Sequence, residues 1–271
     1  MNRPAHRVLL DHLVLPESVR WRNGEVWFVN GSRVQRITKT GELRTHAELE
    51  GPVLLGLSFT DSGDAITSDS VRRCIFRISP SGEARLFADL STNTPYMLNE
   101  PMWLADGSVV VGDIGFDVLG GAPPQAASML RIRPDGTVHR TGPLLWFCNG
   151  LISLDDGRSV LAAETVGARI RRLTLREGGL DEGVVLAKVD AHGLDGIALA
   201  EDGSIWGADI ENGQLIHVAP DGREAQRLAS GFPHATSCVV AGDELVVSVL
   251  RKRPGGSLDC NGALIALPLP D

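Results

Sequence analysis

Six short turns bearing a glycine, each followed at once by an apolar run, divide this chain into units of similar length. They are Gly24 before EVWFVN, Gly63 before DAITSD, Gly107 before SVVVGD, Gly157 before RSVLAAE, Gly203 before SIWGAD and Gly242 before DELVVSV. Successive glycines are 39, 44, 50, 46 and 39 residues apart. A second series lies between them: RVQRITKTGELR, CIFRISPSGEARLF, MLRIRPDGTVHR, RIRRLTLREGGLDE and QLIHVAPDGREAQRL. Each has a short alternating run, a turn with glycine, and another short run. Asp-Gly and related pairs between such runs mark β-hairpins, because glycine adopts the positive φ of the tight turns that suit twisted strands. One unit therefore reads as strand A, turn, strand B, strand C, turn, strand D. No segment sustains the 3.6-residue period of a helix. Units of four strands recurring at about 45 residues build a β-propeller, whose radial packing leaves only short edges. The expectation is an all-β fold, a six-bladed β-propeller with four antiparallel strands per blade, as one domain over residues 1–271. The last unit lacks an outer strand, ending in the loop LRKRPGGSLDCNG and the run ALIALPLP. The N-terminal run RVLLDHLVL supplies it and closes the ring.

In a propeller the A strands line a central channel, so residues at equal phase near their starts converge at one mouth. Counting back eight residues from the turn glycines gives Leu55, Asn99, Asn149, Asp195 and His234, and seven gives Glu17. Four of these six positions carry a side-chain oxygen, two as carboxylates. Two carboxylates and two carboxamides around a small cavity are hard ligands that suit Ca²⁺, Mg²⁺ or Mn²⁺, and zinc also accepts them. The two negative charges would balance one divalent ion. Taken singly, each Asn is a turn-former bonding its own backbone; the common phase is what argues otherwise. A second series, Asn30, Asp69, Asp113, Glu164, Asp209 and Ser248, lies six or seven residues after the turn glycines. These residues end the B strands, farther from the axis, and are expected to bond backbone amides in the B-to-C connections. Trp27, Trp103 and Trp206 are expected to pack between blades. The segment GFDVLGGAPPQAAS makes the third unit the longest and is either a flap beside the mouth or an idle surface loop.

The formal charge of −8 and pI near 5.4 argue against a nucleic-acid surface, which needs a basic field. Four cysteines without a CxxC pair suggest neither a thiolate zinc site nor a disulfide framework. The start, MNRPAHRVLLDHLVLP, is broken by Asp11 and His12 and reads poorly as a signal peptide. No run approaches the roughly 18 apolar residues of a membrane span. A cytoplasmic protein without membrane contact is expected. There is no GxSxG elbow, P-loop or GxGxxG after a strand.

At these residues the chain resembles the senescence-marker-protein / gluconolactonase / luciferin-regenerating-enzyme family, which includes regucalcin. LDGIALAEDGSIWGAD is similar to the family's Asp-Gly ligand segment, CNGLISLDDGRSVLAAET to its Asn-Gly segment, and PESVRW to its Glu-Gly-Pro-x-Trp opening; VVVGDIGFD resembles a stretch common among bacterial members. The resemblance covers nearly the whole chain. It implies a six-bladed propeller with one divalent cation at the mouth, Ca²⁺ foremost and Zn²⁺, Mg²⁺ or Mn²⁺ as alternatives. The implied metal ligands are Glu17, Asn149 and Asp195, with Asn99 near substrate. Ser18 and Val19 depart from the family's Gly-Pro, and Cys148 stands where a Pro usually precedes the Asn. Met97-Leu98-Asn99-Glu100 replaces the Arg-x-Asn-Asp of sugar-lactone hydrolases, which removes a rigid donor for hydroxyls and suggests a less polar pocket. Met97, Asn99, Glu100 and His234 are thus the expected substrate contacts.

The expected activity is metal-dependent hydrolysis of a small-molecule lactone or related ester. The cation would polarise the carbonyl and lower the pKa of a bound water, with Asp195 as candidate general base and Asn99 orienting the substrate. Two alternatives share the fold: a specialised biosynthetic hydrolase, cyclase or isomerase, and a non-catalytic calcium-binding propeller.

Overall fold

A computed structural model describes residues 6–191, 193–253 and 259–270; the middle of the loop expected near the end, 254–258, lies outside the described residues. Six antiparallel sheets form the blades of a propeller. Blade I holds Pro16–Arg22, Glu25–Asn30, Arg33–Ile37 and Leu43–Glu48 as strands A to D. Blade II holds Leu54–Phe59, Ala65–Asp69, Cys74–Ile78 and Ala84–Asp89. Blade III holds Leu98–Trp103, Val109–Asp113, Ala127–Ile132 and Val138–Leu145. Blade IV has Cys148–Leu154, Ser159–Glu164, Arg169–Arg176 and Val184–Lys188, plus a two-residue strand Gly179–Leu180 from its longer C–D connection. Blade V has Leu194–Leu199, Ile205–Asp209, Gln214–Val218 and Glu224–Ala229. Blade VI is His234–Ala241, Glu244–Leu250 and Gly262–Pro268, and its outermost strand is the N-terminal Arg7–Leu13 paired with Gly262–Pro268. The ring closes as the sequence predicts.

The six turn glycines all have positive φ, from 68° at Gly242 to 91° at Gly63, the conformation for which the turns select glycine. Apart from one short 3₁₀ turn at Asp155–Gly157, the described residues contain no helix.

The core lies between blades rather than within them. Trp27 and Val29 of blade I pack on Leu54, Leu57 and Ala65 of blade II. Trp206 and Leu215 of blade V pack on Cys238, Val247 and Ile265 of blade VI. Trp103 covers the cluster in which Ile66 and Ile75 meet Val109 and Val111. The tryptophans therefore fill blade interfaces as expected. Leu13, Val246 and Leu264 meet Val19 and Phe28 where blade VI joins blade I. Apolar burial at about 25 cal/mol per Å² thus bonds each blade to the next, and the N-terminal strand belongs to the interface that closes the ring.

Three of the six residues ending the B strands serve as predicted. Asp69 accepts the amide of Arg72 (3.1 Å), Asp113 that of Gly115 (3.0 Å) and Asp209 that of Glu211 (3.0 Å). Asn30 and Glu164 instead accept amides from the segment entering their own A strand, at Leu15 (3.1 Å) and Trp146 (2.9 Å). Ser248 differs, bonding the Thr236 hydroxyl at 2.8 Å.

Candidate metal and substrate site at the channel mouth

Every A strand breaks register near its start. The breaks fall between Glu17 and Arg20, Leu54 and Gly56, Leu98 and Pro101, Cys148 and Leu151, Leu194 and Ile197, and Ala235 and Ser237. A bulge twists a strand locally and re-aims a side chain. Six bulges at one end of six inner strands set one residue per blade at the break near the channel mouth: Glu17, Leu55, Asn99, Asn149, Asp195 and, in blade VI, Thr236.

That last assignment corrects the phase count, which gave His234. Blades III and V connect strands A and B through five residues, whereas blade VI uses only Gly242 and Asp243. Its hairpin is shorter, so counting eight residues back from Gly242 overshoots by two. His234 sits at the rim, where its Nδ1–H donates to the Ile210 carbonyl at 2.7 Å. A carbonyl only accepts, so this bond fixes the tautomer and leaves Nε2 as the ring's acceptor.

The predicted ligands do meet. The Asn149 carboxamide lies beside the Asp195 carboxylate, and its Nδ2 donates to Thr165 Oγ1 at 3.1 Å. The Thr236 hydroxyl lies near the Glu17 carboxylate and bonds Ser248 Oγ at 2.8 Å and the Pro16 carbonyl at 3.2 Å. Asn99 and Asp195 are each 5% exposed and Asn149 8%. Glu17 retains some accessible surface but is densely surrounded by protein. The Asn99 carboxamide has no hydrogen-bond partner among the described residues. Burial pushes the Asp195 carboxyl well above the usual carboxylate range, and the nearby Glu17 and Glu100 push it further. Burial likewise raises Glu17, with Glu100 adding to it. Two carboxylates held together this way favour a shared proton or a cation between them.

The next residue along each A strand is Ser18, Gly56, Glu100, Gly150, Gly196 or Ser237. Five of these are small because neighbouring A strands nearly touch there. A Cβ on Gly150 would lie 2.7 Å from the Asp195 carbonyl oxygen, and one on Gly196 would lie 2.7 Å from Ser237 Cα. Gly150→Ala would push apart the strands carrying Asn149 and Asp195. We expect it to cost about 1–3 kcal/mol, the usual penalty of overpacking. Urea unfolding measures this, and a variant as stable as the parent would contradict the contact.

Glu100 is the one large residue of this layer, and it fills the channel beneath the mouth. One carboxylate oxygen is held by Ser18 Oγ and Arg20, and the other accepts the Leu151 amide at 2.6 Å. The structure thus occupies both oxygens with protein donors from blades I and IV, whereas the sequence reading has Glu100 facing substrate. Ser18 has φ 51°, the left-handed conformation that explains why Gly suits this position. Its hydroxyl accepts the Leu57 amide at 2.8 Å, so the serine joins blades I and II as well as holding Glu100. Cys148 is fully buried between blades III and IV as a small apolar filler, and burial pushes its thiol far up. Met97, partly buried, lies at the rim, where its carbonyl accepts the Ile114 amide at 3.1 Å.

Among the described residues no three His, Cys, Asp or Glu side chains form a metal cluster, so a cation here would need neutral oxygen donors as well, such as a carboxamide. Glu17, Asp195 and Asn149 fit that requirement: all are hard oxygen donors, and Arg20 offsets Glu100, leaving a net charge that matches one divalent ion.

The model of the SMP-30/Gluconolactonase/LRE-like region matches residues 15–249. No curated protein matches the chain. A gluconolactonase from Xanthomonas campestris is 21% identical with TM-score 0.73, over 97% of this chain and 89% of that one. A luciferin-regenerating enzyme is 15% identical with TM-score 0.76, over 97% and 95%. A calcium-binding regucalcin from Agrobacterium tumefaciens is 21% identical with TM-score 0.72, over 98% and 94%. At such identities the structures establish the shared fold, while the model spans most of the chain: this protein belongs to the SMP-30/gluconolactonase/LRE-like family.

Proposed function

We propose that this protein hydrolyses a lactone or related ester with the help of one divalent cation held by Glu17, Asn149 and Asp195. The observation that carries this reading is the pair of crowded carboxylates, Glu17 and Asp195, set beside Asn149 at the channel mouth. Family membership and a gluconolactonase of the same fold support it. A bound cation would supply polarisation of the scissile carbonyl. The chain's residues do the rest. Asn99, with its carboxamide unpartnered, donates to the carbonyl oxygen as negative charge develops there, a role whose loss typically costs about 10²–10³ in rate. Asp195 takes the proton of the attacking water and returns it to the leaving alkoxide. Thr236 and Asn149 flank the two carboxylates. Beneath them Glu100, tied to Arg20 and Ser18, closes the channel and keeps bulk water from entering from below. His234 stands at the rim within reach of a substrate's outer part.

The test is elemental analysis of protein purified without chelator, followed by assay against aliphatic, aromatic and sugar lactones before and after chelation. One bound divalent ion per chain and lactone turnover that chelation abolishes are expected. Ion binding without turnover of any lactone would favour a calcium-binding propeller, and turnover indifferent to chelation would remove the cation from the reaction.

A further inference from the structure

The channel mouth is unevenly furnished. On the side of blades V and VI, Arg253 pairs with Glu211 across the two blades. On the side of blades III and IV, beside the ion pairs Arg140–Asp113 and Arg169–Glu164, the mouth also carries a cluster of apolar side chains. Phe116, in the B–C connection of blade III, meets Phe147 edge to face, with centroids 5.8 Å apart and planes at 80°. Met97 precedes Asn99 by two residues, as Phe147 precedes Asn149. Around them Leu119, Trp146 and Val166 are 57%, 41% and 44% exposed.

Phe147 is held in a conformation that aromatic residues rarely adopt, with φ 60°. Such outliers persist where the surroundings over-determine them, and they cluster at functional sites. Here the surroundings are explicit. The Trp146 amide donates to buried Glu164 at 2.9 Å, and Glu164 is gripped by Arg169 at 2.6 and 2.8 Å. The Trp146 and Phe147 carbonyls accept the Val166 and Thr165 amides at 3.2 and 2.9 Å. Thr165 in turn accepts from Asn149. The segment that carries the ring is therefore pinned to the same residues that position Asn149.

We propose, on the hydrolase reading above, that this wall is the subsite for an apolar substituent. The substrate it selects is a lactone or ester bearing an alkyl or aryl group, not a polyhydroxylated sugar lactone. A sugar ring presents a hydroxyl on nearly every carbon, and each one buried without a partner is penalised. The wall formed by Met97, Phe116 and Phe147 offers such hydroxyls no side-chain hydrogen bond. An alkyl chain laid on the same surface gains about fourfold in affinity per buried methylene.

The test uses γ-lactones with unbranched alkyl substituents of increasing length, gluconolactone, and the matching alkyl γ-lactams as binding probes that are not turned over. In the native protein kcat/KM is expected to rise about fourfold per methylene over the first few carbons, and lactam affinity to rise in parallel. Gluconolactone should be poorer than the best alkyl lactone by about a hundredfold. Phe147→Gly suits the positive φ and removes the ring, so the chain-length slope should flatten. Met97→Arg should narrow the gap to gluconolactone. Lactam affinity independent of chain length, or a slope unchanged in Phe147→Gly, would overturn the subsite. Lactams binding with the expected slope while no lactone is hydrolysed would sustain the subsite and defeat the hydrolase reading. Lactones hydrolysed without any slope would do the reverse.

Discussion

Asp195→Asn is expected to lower lactone turnover by roughly 10²–10⁴-fold, the usual contribution of a positioned general base, while the protein stays folded. The carboxamide matches the carboxylate in size but cannot take a proton from water. Nor does it bring the charge that a divalent ion needs beside Glu17. The fold should tolerate the change because burial and the neighbouring Glu17 and Glu100 already disfavour charge at this position. A neutral side chain there relieves that crowding, so in chelator at neutral pH the variant should melt no lower than the parent. Initial rates and thermal melts on the same preparation measure both effects. Near-native activity in a folded variant would remove Asp195 from the proton transfer.

Cation-free protein is expected to lose stability as pH rises, in contrast to the usual behaviour of paired carboxylates. The Asp195 and Glu17 carboxyls are both raised above their ordinary values of 3.8 and 4.5. The folded chain therefore holds protons that the unfolded chain releases, and stability falls with pH wherever the native state binds more of them. The protective effect is complete below about pH 4 and is lost from there through neutrality. Each fully titrating group contributes about 1.4 kcal/mol per pH unit within that window. A divalent ion removes the conflict by taking the place of the protons, so its stabilisation should grow with pH. At a hundred times its Kd it adds about 2.7 kcal/mol. Melts from pH 5 to 8 in chelator and in excess Ca²⁺ should diverge as pH increases. Parallel curves would mean that the two carboxylates do not form a cation site.

The turn glycines carried the fold, because the positive φ of a tight hairpin restricts the residues able to occupy it. Their spacing gave the blade number and placed Glu17, Asn99, Asn149 and Asp195 at one end of the inner strands. The same counting failed in blade VI, where the shorter hairpin brings Thr236 into the ring in place of His234. Hairpin length follows from strand pairing, and the only sequence cue was the two-residue Gly242-Asp243 turn between long apolar runs. Glu100 was legible as an inner-strand residue but not as the channel's plug. Its partners, Ser18, Arg20 and the Leu151 amide, lie 82, 80 and 51 residues away and are joined to it only by ring closure. The Phe116–Phe147 contact was hidden for the same reason.

On the proposed function, Glu17, Asn149 and Asp195 hold one divalent cation on which hydrolysis depends. The most direct test is a titration of Ca²⁺, and in parallel Zn²⁺, Mg²⁺ and Mn²⁺, into chelated protein with occupancy and lactone turnover followed on the same sample. One ion per chain is expected, with turnover rising in proportion to occupancy and binding weakened in Glu17→Gln and Asp195→Asn. Full turnover by ion-free protein, or tight binding undiminished in both variants, would contradict it.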